Sequence, residues 1–124
     1  MLKNFMWLTL CIYFEARGEP KEAQIMVGHV VMNRVKKDGL SIKEVVNEPW
    51  QFSWMNSNSS PVIQDYNALY NCQDAAFEVL SQRLDGKDGF GADHYYDDSI
   101  EPPYWAEQMQ VVGKVGRIYF FKSS

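Results

Sequence analysis

The stretch Tyr13-Phe14-Glu15-Ala16-Arg17-Gly18-Glu19-Pro20 organises this chain, because it closes a long apolar run and then breaks the helix that the run predicts. The run from Phe5 to Phe14 predicts a first helix from about Leu2 to Phe14 or Ala16. That helix is apolar on nearly all sides, so we expect it to be the central, buried helix of the fold.

Glu15 stands at the end of this apolar run. Poor solvation there disfavours the charged form, raises the pKa of the carboxyl group and keeps it protonated near neutral pH, as a general acid requires. Glu15 is therefore the first candidate for a catalytic residue. The alternative is that Glu15 pairs with Arg17 or Lys21 at the helix end.

The length and charge of the chain limit its possible classes. At 124 residues we expect one domain spanning residues 1–124, with a single core. The net charge is -4, from 12 basic and 16 acidic side chains, and the basic residues do not cluster. Nucleic acid is therefore not an expected partner, because phosphate binding needs a concentrated positive surface. The apolar run is too short to span a membrane and lacks the cleavage pattern of a secretory signal, so we assign it to the fold.

Cys11 and Cys72 form neither a CxxC pair nor a metal-ligand spacing. Each lies in a predicted helix, which favours buried thiols, and a disulfide between them stays open for a protein that works outside the cytoplasm. With 2 His and no clustered Cys, a catalytic zinc would lack ligands, and we expect no cofactor.

Three further helices are predicted. Gly18 suits a left-handed helix end, and Pro20 suits the first turn of a second helix that runs to about Lys37. A capping box at Ser41-Ile42-Lys43-Glu44 opens a short third helix to about Asn47. The fourth helix is predicted from Pro61 through Arg83. Its apolar stripe comprises Val62, Tyr66, Leu69, Ala76 and Leu80.

After the turn-rich stretch from Asp85 to Gly91, the pattern changes to short strands. The strands are expected at Ala92–Tyr96, Gln110–Val112 and Arg117–Phe121. The fold class is therefore α+β, mainly helical, with a small antiparallel sheet near the C-terminus.

Taken together, these motifs resemble the SleB-like cell wall hydrolases, a family of spore-cortex-lytic enzymes and phage endolysins. Four pieces match in order: Glu15-Ala16-Arg17-Gly18-Glu19-Pro20, Val31-Met32-Asn33-Arg34-Val35, Gln51-Phe52-Ser53-Trp54, and Gly91-Ala92-Asp93-His94-Tyr95-Tyr96 with its continuation to Phe120. In the last piece the family often has Thr and a second His where this chain has Asp93 and Tyr96.

The resemblance implies a lysozyme-like domain that cleaves the glycan strands of peptidoglycan. Family members resemble lytic transglycosylases, with the glutamate matching Glu15 as the catalytic residue. The implied partner is peptidoglycan and the implied place of action is the bacterial wall, in the periplasm or outside the cell. The chain shows no signal or binding domain, which favours a monomeric, phage-encoded lysin released through a holin.

The bond between N-acetylmuramic acid and N-acetylglucosamine breaks when its leaving oxygen gains a proton. Glu15 would donate that proton and then, as a carboxylate, deprotonate the 6-hydroxyl of the muramic acid. A hydrolysing glycosidase uses a second carboxylate as well. The possible second groups are Glu19, Asp93, Asp97 and Asp98, and because no spacing singles one out, the transglycosylase is favoured.

Candidate substrate-binding residues come from three places. Arg17 is a candidate for a lactyl or peptide carboxylate, or for a salt bridge with Glu19 or Asp93. Gln51 and Ser53 could bind an N-acetyl group or a hydroxyl, with Phe52 or Trp54 under a sugar ring or in the core.

Strand alternation puts His94 and Tyr96 on one face, expected toward the cleft, and Tyr95 on the other, in a supporting position. Supporting roles are also expected for Glu19, at the start of the second helix, and for Asn33, as a buttress of the loop near Glu15. His29 is interpreted as structural.

Three alternatives to a transglycosylase remain. A true lysozyme would use water in place of the 6-hydroxyl, and a glycan-binding module would keep the fold without turnover. An amidase lacks the zinc ligands or the Cys/His pair that it would need.

Overall fold

The computed structural model describes residues 2–47 and 62–123. Within these residues the α-helices are α1 (Leu2–Ala16), α2 (Lys21–Asp38), α3 (Ile42–Val46) and α4 (Tyr66–Leu84). The strands are β1 (His94–Asp97), β2 (Gln110–Val115) and β3 (Ile118–Lys122). Short 3-10 turns lie at Gly89–Gly91 and Tyr104–Gln108.

Helix α1 is the centre of the helical layer, as its apolar sequence predicted. It packs against α2, α3 and α4, and Leu8, Cys11, Ile12 and Tyr13 are fully buried. The Tyr13 hydroxyl oxygen accepts hydrogen bonds from the backbone N–H groups of residues 64 and 65, at 3.0 and 3.1 Å. The end of α1 therefore also fixes the chain that leads into α4.

The break between α1 and α2 differs from the prediction in one respect. Gly18 does not adopt a left-handed conformation, whereas Gly39 does so after α2, with a φ of 68°. At the end of α1 the Gln24 side-chain amide instead donates to the carbonyls of Ala16 and Arg17, at 3.2 and 3.4 Å. Because these carbonyls have a side-chain donor, the helix end does not need the left-handed turn.

The start of α2 and the whole of α3 follow the sequence closely. Pro20 is the residue immediately before α2, one position from its predicted place. Ser41 and Glu44 form the predicted capping box, with reciprocal hydrogen bonds of 3.1 and 3.0 Å. These features depend on residues a few positions apart, so they can be predicted from the sequence alone.

Helix α4 begins later than the predicted start at Pro61. Residues 62–65 are not helical, and Asp65 caps the helix by accepting from the Ala68 N–H at 3.0 Å. The predicted stripe was wrong at its start, because Val62 and Tyr66 are exposed. The buried face consists of Cys72, Ala75, Ala76 and Val79.

The three strands form an antiparallel sheet in the order β1-β3-β2. Tyr95 is paired with Phe120, and Tyr96 with Tyr119. Phe120 and Ile118 are buried in the core, so the face that carries them and Tyr95 is turned toward the helices. The opposite face carries His94 and Tyr96.

Cys11 and Cys72 are buried free thiols, and burial raises the pKa of both. Across residues 2–47 and 62–123, no helix combines the length and the apolar character needed to cross a membrane.

Candidate active site

Glu15 lies in the last turn of α1, half-buried between the helices and the sheet. Its Oε1 accepts a hydrogen bond from the Tyr95 hydroxyl of β1. It makes no ion pair with Arg17 or Lys21, so that alternative is wrong. The first helix and the sheet thus meet at this carboxyl group.

Burial raises the pKa of Glu15 above its usual range, and the negative charge of Asp97 raises it as well. The hydrogen bond from Tyr95 and the positive charge of Arg34 lower it, but burial outweighs them. The carboxyl group therefore keeps its proton to a higher pH than an exposed glutamate, in the direction that a general acid requires.

Tyr95 supports Glu15 directly. Burial and the charge of Glu15 both raise the pKa of the tyrosine well above its usual range, so its hydroxyl stays protonated and remains a donor. A donor aimed at Oε1 orients the carboxyl group and leaves Oε2 to carry the acidic proton. Strand alternation predicted a supporting position for Tyr95 but not its hydrogen bond to Glu15.

His94 and Tyr96 lie on the face of β1 opposite to the one from which Tyr95 contacts Glu15. They belong to an aromatic cluster with Trp105, Tyr119 and Phe121. The His94 and Trp105 ring centroids are 5.0 Å apart, and Tyr96 stacks on Phe121 at 5.5 Å. Strand alternation correctly predicted which residues of β1 share a face. Which of the two faces packs against the helices is decided by Ile118 and Phe120 of β3, because both are buried.

Arg34 is a site residue that the sequence analysis missed. Its Nε donates to the Asp93 backbone carbonyl at 2.8 Å, which holds α2 against the start of β1. Its charge lowers the pKa of Glu15, Tyr95 and Cys11. The available signal was a cation between Asn33 and Val35 in an otherwise core-facing part of α2.

Asp93 is occupied by structural contacts. The residue is 6 % exposed, and its carboxylate accepts from the Ser123 N–H at 2.9 Å and from the Ser123 hydroxyl. His94 Nδ1 lies 3.0 Å from Oδ1, and Lys37 Nζ lies 3.7 Å from Oδ2. Burial raises the pKa of Asp93, but the Ser123 and His94 hydrogen bonds outweigh it and the pKa is lowered. Asp93 therefore joins the chain end to β1 rather than facing a substrate.

Of the four candidate second carboxylates, Asp97 is the one whose charge acts on Glu15. It shares its strand face with Tyr95 and is exposed. Hydrogen bonds from the Ser99 hydroxyl and N–H lower its pKa and keep it ionised. By contrast, Asp98 lies 3.4 Å from both Lys114 Nζ and Arg117 Nε.

Glu19 makes a structural contact with the sheet, which differs from the expected role at the start of α2. Its Oε1 accepts from the Arg117 N–H at 2.7 Å, so it binds the turn between β2 and β3. A Cβ on Gly116 of that turn would lie 2.8 Å from Cδ of Pro20, and the φ of Gly116 is 58°, so this position needs a glycine. The loop after Glu15 is therefore fixed against the sheet.

Asn33 buttresses a different loop from the one predicted. Its Nδ2 donates to the carbonyls of Asp88 and Ala92, at 2.9 and 2.7 Å, and its Oδ1 accepts from Arg83 Nη1 at 2.8 Å. It thus supports the segment before β1 instead of the loop at Glu15. His29 is structural as expected: it is buried, and its Nε2 lies 2.8 Å from Gln82 Oε1.

Arg17 forms no salt bridge with Glu19 or Asp93; its guanidinium carbon lies 4.8 Å from the centre of the Tyr13 ring. The predicted substrate-binding residues Gln51, Phe52 and Ser53, with Trp54, lie outside the described residues. In the part of the chain that is described, no group of three or more His, Cys, Asp or Glu side chains could hold a metal ion.

One family model and two solved structures are similar to this chain. The family model described as Cell Wall Hydrolase matches residues 18–121. Among curated proteins, no sequence matches. Two solved structures are similar in fold, each at 23 % identity and each covering 98 % of this chain.

The first is the catalytic domain of the germination-specific lytic transglycosylase SleB from Bacillus anthracis, with a TM-score of 0.72 and 96 % of that chain covered. The second is the catalytic domain of the Bacillus cereus SleB protein, with a TM-score of 0.73 and 91 % of that chain covered. The chain has the fold of these catalytic domains, and the predicted lysozyme-like α+β architecture is confirmed.

Proposed function

This chain belongs to the cell wall hydrolase family, and from that premise we propose that it degrades peptidoglycan. The bond cleaved is the glycosidic bond from N-acetylmuramic acid to N-acetylglucosamine. The enzyme acts as a lytic transglycosylase, with Glu15 as general acid and then general base. The substrate is the glycan strand of the bacterial wall.

The observation that carries this proposal is the environment of Glu15. A half-buried carboxyl group with a raised pKa is held by a tyrosine donor where the helical layer meets the sheet. A protonated acid at this place can transfer its proton to a glycosidic oxygen. The supporting comparison is with the Bacillus anthracis SleB domain, which is named a lytic transglycosylase.

In the first step Glu15 gives its proton to the glycosidic oxygen, the bond from that oxygen to the anomeric carbon breaks, and positive charge develops on the muramic acid ring. Tyr95 stays protonated and bound to Oε1, so it stabilises the carboxylate that forms. Arg34 adds a positive charge with the same effect. Neither group needs to move a proton of its own.

In the second step the Glu15 carboxylate takes the proton of the 6-hydroxyl of the same sugar. The freed oxygen bonds to the anomeric carbon and closes a 1,6-anhydro ring, and Glu15 regains its proton. One carboxyl group thus serves both steps, and the cycle consumes no water.

A second candidate is a hydrolytic muramidase, and Asp97 is the observation that favours it. Its lowered pKa and its effect on Glu15 give two carboxyl groups whose pKa values are shifted in opposite directions, the pattern of a glycosidase acid and its partner carboxylate. In that reaction a water molecule attacks the anomeric carbon.

Mass spectrometry of digested peptidoglycan separates the two reactions. We expect products with 1,6-anhydro-muramic ends, which are lighter by one water than the products of hydrolysis. Reducing muramic ends would support the muramidase instead. If the glycan stays intact after prolonged incubation with folded protein, the result favours a glycan-binding module without catalytic activity.

A further inference from the structure

A polar pocket of about 270 Å³ lies beside the loop that follows Glu15. It is lined by Arg17, Glu19, Lys21, Gln24, Asn71 and Asp74. Arg17 and Glu19 lie in the loop between α1 and α2, Lys21 and Gln24 in the first turns of α2, and Asn71 and Asp74 in α4. The pocket thus opens between the loop near the candidate catalytic residue and a helix that the mechanism does not use.

The charged groups of this pocket balance one another but are not paired. Arg17 and Lys21 supply two positive charges, Glu19 and Asp74 two negative charges, and none of the four forms a salt bridge with a described residue. A lone anion or a lone cation would gain little from a lining with no net charge. A ligand that carries both charges can pair with both kinds of group.

Gln24 provides a second, independent observation. The residue is only 5 % exposed, and its Nε2 is engaged by the Ala16 and Arg17 carbonyls. Its Oε1 accepts no hydrogen bond from any described residue. A buried acceptor without a donor costs free energy, so a ligand with an N–H group would relieve it.

From these features we infer that the pocket binds the ammonium-and-carboxylate end of a diamino acid in the peptide stem of peptidoglycan. The volume is below the roughly 300–1,000 Å³ of sites for whole drug-sized ligands, so it suits one end of a residue and not a sugar ring. Diaminopimelate ends in both charges, whereas lysine ends in an ammonium alone. The site therefore selects stems that contain diaminopimelate.

This inference rests on the proposed function, because the stem branches from the muramic acid whose bond Glu15 would cleave. Arg17, two residues after Glu15, faces the Tyr13 ring and α4, while Glu15 faces Tyr95. The two groups can therefore meet different parts of one substrate. Glu19 joins the two regions, since it lines the pocket and binds the β2–β3 turn.

The test compares KM for glycan strands that carry diaminopimelate stems with KM for strands from which an amidase has removed the stems. We expect the stem-bearing strands to have a KM lower by about tenfold, the effect of one or two charge-assisted hydrogen bonds. Asp74→Asn should bring the ratio of the two KM values close to one. Asp38→Asn, an equivalent change on the exposed end of α2, should leave the ratio as it is. The inference would be overturned if the wild type had the same KM for stem-bearing and stem-free strands. It would also be overturned if the ratio of these two KM values were the same in Asp74→Asn and Asp38→Asn.

A binding measurement keeps this test separate from the proposed function. The Glu15→Gln protein is titrated with free diaminopimelate stem peptide, and the side-chain amide signals of Gln24 and Asn71 are followed by NMR. We expect both signals to shift, and to shift much less with a lysine stem. Unmoved signals, or shifts of equal size with the lysine stem, would overturn the stem site. If the wild type cleaves no glycan but the titration succeeds, the proposed function fails and the pocket stands.

Discussion

At the scale of single residues, the acidity of Glu15 is set by groups from separate parts of the chain. Burial between α1 and the sheet raises its pKa, and Tyr95 of β1 and Arg34 of α2 oppose that rise. The balance matters because a pKa that is too high makes a poor base for the second step, and one that is too low leaves no acid for the first. In the proposed mechanism, Tyr95 and Arg34 thus adjust the pKa of one group that acts first as acid and then as base.

Arg34→Met should move the alkaline limb of the pH profile. The general acid is active when protonated, so kcat/KM falls as pH rises through the pKa of Glu15. The charge of Arg34 lowers that pKa, and its removal raises it further. We therefore expect the alkaline limb of kcat/KM to move to higher pH in the variant, measured on a soluble glycan over a series of buffers.

Arg34→Lys is the matched control, because it keeps the positive charge while losing the planar guanidinium. Its alkaline limb should stay closer to that of the wild type. Both variants lose the Nε hydrogen bond to Asp93, at a cost of about 1 kcal/mol, so circular dichroism is needed to confirm folding. A limb that moves to lower pH in Arg34→Met would contradict the electrostatic account.

Single residues also show what the sequence could and could not predict. Glu15 was identifiable because burial follows from its own apolar neighbours in α1. The contact with Tyr95 was not, because it depends on which face of β1 meets the helices, and Phe120 on another strand decides that. Arg34 was missed because its effect acts through space on Glu15, and within α2 the only sign of it is a cation among core-facing residues.

At the scale of elements, α2 and α4 approach each other closely at Gly28. A Cβ at that position would lie 2.6 Å from Val79 Cγ2 and 3.3 Å from Ile12 Cδ1. Helix propensity alone favours alanine over glycine by about 1 kcal/mol, so the glycine is retained for packing. This contact sets how α4 lies beside α2, and residues of both helices line the polar pocket.

Gly28→Ala should lower the free energy of unfolding by about 1–3 kcal/mol, because the added methyl group overpacks the contact between the helices. Gly18→Ala is the control: nothing lies within 4 Å of its added Cβ, and its φ is not positive. That variant should be neutral or more stable by up to about 1 kcal/mol. Urea denaturation measures both, and a Gly28→Ala protein as stable as the Gly18→Ala protein would contradict the close approach.

Elements were predicted well where their ends depend on neighbouring residues. The capping box of α3 is an example, since its chemistry is complete within a few positions. The start of α4 was placed too early because a proline commonly opens a helix. In the structure, the chain before α4 is instead held by the hydroxyl of Tyr13, which is distant in sequence.

At the scale of the whole molecule, the polar contacts join the helical layer to the sheet around the candidate site. Arg34 and Lys37 of α2 bind Asp93 before β1, and Glu19 binds the turn between β2 and β3. These contacts fix the position of the helices relative to the sheet, and the two layers also meet at Glu15 and Tyr95. The lysozyme-like fold was predictable from ordered motifs, but this arrangement and the stem pocket required coordinates.

The rate of glycan release by wild-type and Glu15→Gln protein tests the central claim most directly. Glutamine keeps an oxygen that can accept from Tyr95 but has no acidic proton, so the variant should fold normally. We predict a loss of at least about a hundredfold in the release of soluble muropeptides from peptidoglycan, the range for removing a general acid. A folded Glu15→Gln protein that digests peptidoglycan at the wild-type rate would contradict the account.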